Sequence, residues 1–222
     1  MTEPSEVPGG ARSRSTSEDG RRHEPDGLLR HGDGLLRCRW CGQDPTYVTY
    51  HDTEWGRPVH DEAQLFEKLC LEAFQAGLSW LTILRRREAL RAAFAGFEPE
   101  LVAAFTDRDV VRLLDDASIV RNRAKIVATI DNARALTELR RRGIHLGTLV
   151  WSFAPEPSGR PSHPDEVPAR TAASTALATS LKDHGFRFVG PVTAYALMQA
   201  MGLVDDHLEG CHVPREVTGP GP

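Results

Sequence analysis

LFEKLCLEAFQAGLSW, residues 65–80, is the stretch on which the reading of this chain turns. Asp61 stands ahead of it as a helix N-cap with Gln64 at the third position, a capping-box pairing, and Gly77 is a natural stop. A helix between those signals puts Leu65, Leu69 and Glu72 on one side and Phe66, Cys70 and Phe74 on the other, with Ala73 and Ala76 between. No side is polar enough to leave Glu72 in water. Burying an ionised carboxylate without a partner costs on the order of several kcal/mol, so Glu72 is expected to be paired, protonated or functional. An arginine from a neighbouring helix, or backbone amides, would give it a purely structural role; a ligand would give it a chemical one.

Helical signals continue along the chain. Ser79 caps a helix running to about Phe94, Pro99 sits at a helix start, and Thr106 with Asp109 opens another. From Asn122 to Arg142, Ile126, Ile130 and Ala133 recur at helical spacing before Gly143 ends the run. WSFAPEPSGRPSHPDEVPA, residues 151–169, is a proline-rich loop. Two further helices are expected, from about Ser174 to Asp183 and from Pro191 to Met201, joined by HGFRFVG. Nothing alternates with a period of two and no solenoid repeat is present, so the expected class is all-α.

The chain has 222 residues, 40% hydrophobic and 26% charged, the composition of a soluble globular protein of one domain or a small pair. No apolar run reaches membrane-spanning length, and MTEPSEVPGGARSRSTSEDG lacks the apolar segment of a secretory signal, so a cytoplasmic protein with no membrane partner is expected. Residues 1–36 are rich in Gly, Pro, Ser, Arg and acids and read as a disordered tail, leaving 37–213 as the folded domain and 214–222 as a C-terminal tail. The first tail carries seven acids against five arginines, so the rest of the chain is close to neutral. Contact with nucleic acid must then rest on a local face. Candidates are Arg85–Arg86–Arg87, the set Arg121, Arg123 and Lys125, and Arg140–Arg141–Arg142, each otherwise a solvated helix surface.

CRWCGQDPTYVTYH (38–51) and DDHLEGCH (205–212) bring four potential ligands to the two ends of the domain. Cys38, His51, His207 and Cys211 form a set suited to a closed tetrahedral zinc site, with Cys41 and His212 as rivals; burial of a plain cysteine among surface histidines is the alternative. The same N-terminal segment, read as a loop, holds Trp40, Tyr47, Tyr50 and Trp55. These rings are either core or, with Trp80, the walls of a flat pocket.

Five stretches taken together resemble the 3-methyladenine-DNA glycosylase I family: QDPTYVTYHDTEWGRP, LCLEAFQAGLSWLTILRRRE, ASIVRNRAKIVATIDNARA, LVWSF and GFRFVGPVTAYALMQAMGLVDDHLEGC. The resemblance runs in order from residue 37 to about 212. It implies a helix-hairpin-helix glycosylase that acts as a monomer, flips 3-methyladenine out of double-stranded DNA and excises it hydrolytically, with one structural zinc ion on Cys38, His51, His207 and Cys211. It also implies that Glu72 contacts the base, that Tyr47 and Tyr50 lie near it, that Trp80 stacks on it, and that Trp40 and Trp55 border the same pocket. Leu78, beside Gly77, matches a loop that probes the gap left by the base. FRFVGP corresponds to a hairpin whose backbone amides meet a phosphate. Phe74 and Cys41 depart from the family pattern close to these positions. Val204–Asp205–Asp206–His207 resembles a segment that supplies a catalytic aspartate in other glycosylases of the superfamily, which makes Asp205 a secondary candidate, with capping as its structural alternative. A zinc-stapled helical DNA-binding module without catalysis is the competing expectation. It has no use for a carboxylate beside stacked rings. Catalytic zinc fits less well, because four protein ligands leave no position for water.

Overall fold

The computed structural model describes residues 26–215. The chain enters through a short antiparallel hairpin, β1 (Leu28–Arg30) and β2 (Leu36–Cys38), in which Leu28 pairs with Cys38. Helices α1 (Pro45–Thr53), α2 (Glu62–Gln75), α3 (Trp80–Ala93), α4 (Pro99–Ala103), α5 (Asp107–Asp115) and α6 (Arg123–Arg141) follow. The chain ends with α7 (Leu146–Trp151), α8 (Ala172–Asp183) and α9 (Pro191–Ala200). The predicted caps form: Asp61 accepts from Gln64 N and Ser79 from Thr82 N, and Thr106 with Asp109 closes a capping box. Asn122, expected only as the start of a periodic run, also caps its helix by accepting from Lys125 N.

Helix α2 is the axis of the core. From Leu65 to Phe74 every residue except Glu67 is buried, and it packs against α3, α6, α7 and α9. That explains why its sequence shows no wet side. Phe74 packs edge-on against Phe94 within this core, away from the cavity described below.

The fold is mostly helical, as expected, with one hairpin whose three-residue strands are too short to show a period of two. Two sequence expectations need correction. The expected unordered tail does not extend to residue 36. Leu28 is fully buried with Cys38, Leu208, Cys211 and Val213 in a second, smaller apolar cluster, and His212 N donates to Leu36 O, so the hairpin is held by the far end of the chain. Residues 1–25 and 216–222, the remainder of the two expected tails, lie outside the described residues. Finally, Tyr47 and Tyr50 lie on helix α1 rather than in a loop, with Trp40 in a 3-10 turn before it and Trp55 in the turn that follows. Asp44 accepts from Thr46 N and Tyr47 N with Pro45 at the first helical position, so the Pro that suggested a loop is a helix starter.

Candidate functional site

Helices α1, α2 and α3 meet around a cavity of about 540 Å³. Six of the seven residues expected to bind or act on a base line it: Trp40, Tyr47, Tyr50, Trp55, Glu72 and Trp80. The rings touch one another. Trp40 meets Trp55 at 4.8 Å and Tyr47 at 5.1 Å between centroids, and Tyr50 meets Trp80 at 5.5 Å. Trp80 Nε1 is buried with no hydrogen-bond partner among the described residues. Leu78, the seventh, is instead 40% exposed at the α2–α3 junction, where Gly77 adopts φ +78° and Lys125 Nζ donates to the carbonyls of Phe74 and Ala76. An apolar side chain held on a fixed turn at the surface is what a wedge requires.

Glu72 is 5% exposed, and its partner is neither an arginine nor an amide. Lys68, one turn earlier on α2, places Nζ 3.1 Å from Glu72 Oε1, donates to the Tyr50 hydroxyl at 2.6 Å, and lies 3.4 Å from the centroid of the Trp80 ring. Burial raises the Glu72 carboxyl above its usual range while Lys68 pulls it back; burial lowers the Lys68 ammonium to about 8 against the pull of Glu72. Burial also pushes the Tyr47 phenol up to about 12 and Tyr50 well above 10. The i, i+4 spacing of Lys68 and Glu72 was the sequence signal that could have found this pair.

Gln75, Gln199 and Asp206 also line the cavity and were not anticipated. Asp206 Oδ2 accepts from the Tyr195 hydroxyl at 2.7 Å and from Gln199 Nε2 at 2.8 Å. Asp205, the secondary catalytic candidate, is outside the cavity lining: its carboxylate pairs with Arg160 at 2.8 Å and accepts from His207 N. Those contacts brace the turn before His207.

That turn completes the second cluster. The side-chain donor atoms of Cys38, His51, His207 and Cys211 all lie within 4.8 Å of one another, and all four residues are buried. His207 and Cys211 share a tight turn rather than a helix. The remaining ring nitrogens are engaged: His51 Nδ1 meets Asp52 Oδ1 at 2.7 Å, and His207 Nε2 meets the Trp55 carbonyl at 3.1 Å. With those atoms held from behind, His51 Nε2 and His207 Nδ1 face the sulfurs, 3.5 and 3.6 Å from Cys211 Sγ. Gly56 is required here, because at φ +78° a Cβ would come within 3.1 Å of the His207 ring. Cys41 stays outside the group, with its sulfur turned to the Gly42 carbonyl, and His212 meets Asp52 at 2.9 Å instead. Two soft sulfurs and two imidazole nitrogens, buried and converging, can hold a metal ion.

The basic runs are largely spent on structure. Arg85 pairs with Asp44, Arg87 with Glu54, Arg140 with Glu62 and Glu100, and Arg141 with Glu138, while Arg86 donates to the carbonyls of Ala117 and Ser118. Arg121 and Arg123 remain exposed at the start of α6. No described helix is long and apolar enough to cross a membrane.

A helical enzyme with a ring-walled cavity around one buried carboxylate, closed at its ends by a thiol and imidazole cluster, has the build of a DNA glycosylase that reads a flat base. The chain is similar to a crystal structure of 3-methyladenine DNA glycosylase I, with a TM-score of 0.77 and 48% identity, over 79% of this chain and 98% of that one. It is also similar to the 3-methyladenine DNA glycosylase I of Staphylococcus aureus, solved to explain 3-methyladenine recognition, with a TM-score of 0.78 and 36% identity, over 82% and 98% of the two chains. The methyladenine glycosylase family matches residues 40–214, and the chain belongs to that family. Among characterised relatives, it is 49% identical to DNA-3-methyladenine glycosylase 1 of Escherichia coli strain K12, covering 80% of this chain and 96% of that protein. It is 44% identical to DNA-3-methyladenine glycosylase of Haemophilus influenzae, covering 79% and 96%.

Proposed function

We propose that this chain excises 3-methyladenine from alkylated double-stranded DNA by hydrolysing the N-glycosidic bond, the first step of base excision repair. The observation that carries the reading is Glu72, a buried carboxylate on the wall of a cavity whose other walls are aromatic rings. Relatives whose names state the same activity support it.

The chemistry follows from the substrate. Adenine methylated at N3 while still bonded to the sugar carries a positive charge, which weakens the glycosidic bond and makes the base a good leaving group. What the enzyme must supply is recognition, orientation and water. Glu72 accepts hydrogen bonds from the adenine edge and stabilises its charge. For a pair about 4 Å apart at an effective dielectric near 20, that attraction is roughly 4 kcal/mol before desolvation. Trp80 stacks on the base, worth about 0.5–2 kcal/mol for a cation on a ring, and Tyr47, Tyr50, Trp40 and Trp55 complete a slot that excludes bulk water. The base reaches this slot by leaving the duplex, with Leu78 filling the space behind it. The N-terminus of α9, with Gly190 as cap and Pro191 in its first turn, offers backbone amides to a DNA phosphate, so the near-neutral body needs little side-chain charge.

Zinc is the ion the donor set suits best, held by Cys38, His51, His207 and Cys211. Its contribution would be structural, tying strand β2 and helix α1 to the turn around His207 and Cys211. The catalytic unit is then residues 37–213 with the hairpin packed on it, working as a monomer in the cytoplasm.

Chromatography of bases freed from methylated duplex DNA tests the proposal. Free 3-methyladenine released by the wild type and lost with Glu72→Gln supports it. Binding to the DNA without any released base would leave a non-catalytic DNA-binding module instead.

A further inference from the structure

Lys68 is absent from the lining of the cavity, yet it touches three residues that are part of it. Its ammonium sits behind the wall, bonded to the Glu72 carboxylate and the Tyr50 hydroxyl and resting on the Trp80 ring. Recognition of a cation therefore begins from a carboxylate that already has one. We propose that Lys68 is the positioning residue that sets the charge of the base pocket, and that it gives its proton to solvent when a cationic base binds against Glu72. This rests on the base-pocket reading above.

The argument is one of charge balance in a dry space. Glu72 and Lys68 are both buried and together carry no net charge. A cationic base placed against the same carboxylate leaves two positive groups around one negative one, with little water to screen them. Loss of the Lys68 proton restores neutrality: one charge enters with the base, one leaves as a proton taken up by buffer. The neutral amine can still donate to Glu72 and Tyr50, so the carboxylate stays oriented. A neutral purine displaces no charge and leaves the ammonium in place.

The groups facing Lys68 allow this exchange. Tyr50 and Trp80 offer a hydroxyl and a ring face. Beyond them, Glu54 and Arg87 act on Lys68 in opposite senses and are paired with each other. Glu72 is thus the one unshared counter-charge, and the ammonium, already lowered to about 8, loses its proton readily once that carboxylate is taken.

Calorimetry separates the outcomes, using 3,9-dimethyladeninium as a permanent cation and free 3-methyladenine, uncharged at about pH 7, as the neutral ligand. Each is titrated into the intact protein in two buffers of different ionisation enthalpy. Wild type is expected to release close to one proton for each cation bound and far less for the neutral base, and affinity for the cation is expected to rise with pH up to about 8 and then level. In Lys68→Met, checked for fold by circular dichroism and titrated at a pH high enough to keep Glu72 ionised, proton release should vanish and preference for the cation over the neutral base should grow by about tenfold or more. Cation binding by the wild type without proton release overturns the inference, whether or not the variant folds, and so does an unchanged preference in a folded Lys68→Met. If the wild type binds neither ligand and frees no base from DNA, the pocket reading itself fails, and the inference goes with it.

Discussion

The two buried polar clusters of this protein balance their charge in different ways. In the cavity, Glu72 is answered from within its own helix by Lys68, so the site is neutral as folded. In the cluster at the chain's ends, two sulfurs and two imidazoles converge with no cationic side chain among the four. One hydrogen bond between the two thiols divides the consequence, pushing Cys38 up and holding Cys211 down. Donors of that kind reach their strongest state with a metal ion between them. The cavity is arranged to exchange one cation for another, while the cluster could hold one. The two are also neighbours, because Trp55 lines the cavity and its ring meets His207 at 4.6 Å, and Trp40 meets His51 at 5.3 Å.

That contrast breaks most visibly at the cluster. Cys38→Ser is expected to lose bound zinc and to destabilise the fold by on the order of 4 kcal/mol or more, about 10 °C in Tm, measured by metal analysis and thermal melting. If Tm is unchanged in Cys38→Ser, the cluster does not staple the chain ends. Next comes Glu72→Gln, which should cut base excision roughly 100-fold, about 2.7 kcal/mol of transition-state stabilisation, while Tm moves by less than about 5 °C. The mild effect on stability follows because a Lys68 with no counter-charge can shed its proton.

The pair also leaves a mark on stability. Lys68 falls from 10.5 to about 8 on folding, so between those values the unfolded chain binds more protons than the folded one, and stability rises with pH across that window. The rise is on the order of 1–3 kcal/mol, and Lys68→Met should flatten it in denaturant titrations at stepped pH. A smaller effect, about tenfold, is expected for Leu78→Ala on excision from duplex DNA, with affinity for free 3-methyladenine unchanged. Weakened base binding in that variant would move Leu78 from wedge to pocket wall. Smallest is Asp205→Asn, within about twofold in excision, because its carboxylate serves Arg160 and the turn before His207.

Much of this was legible in the sequence because it is local. Caps at Asp61, Ser79 and Thr106 announced their helices, since each side chain bonds an amide only three residues away. Glu72 could be singled out because the whole of α2 lacked a polar face. The hairpin was missed for the opposite reason: Leu28 owes its burial to Leu208 and Val213, some 180 residues on. α1 was hidden because Pro45 reads equally as a breaker and as a first-turn residue until Asp44 is seen capping it.

By itself, the sequence determined the helical periodicities, the isolated acid in an apolar helix, the rings that could surround it and the thiol and imidazole set at the two ends. Tertiary structure alone decided which cation answers Glu72, which of the adjacent aspartates, 205 or 206, reaches the cavity, and that Cys41 stands outside the donor group. The physical reason is range. Helix signals are carried by bonds across three or four residues, whereas the partner of a buried charge is chosen by whichever group the packed chain brings within about 3 Å, and side-chain direction settles that only once the helices have met.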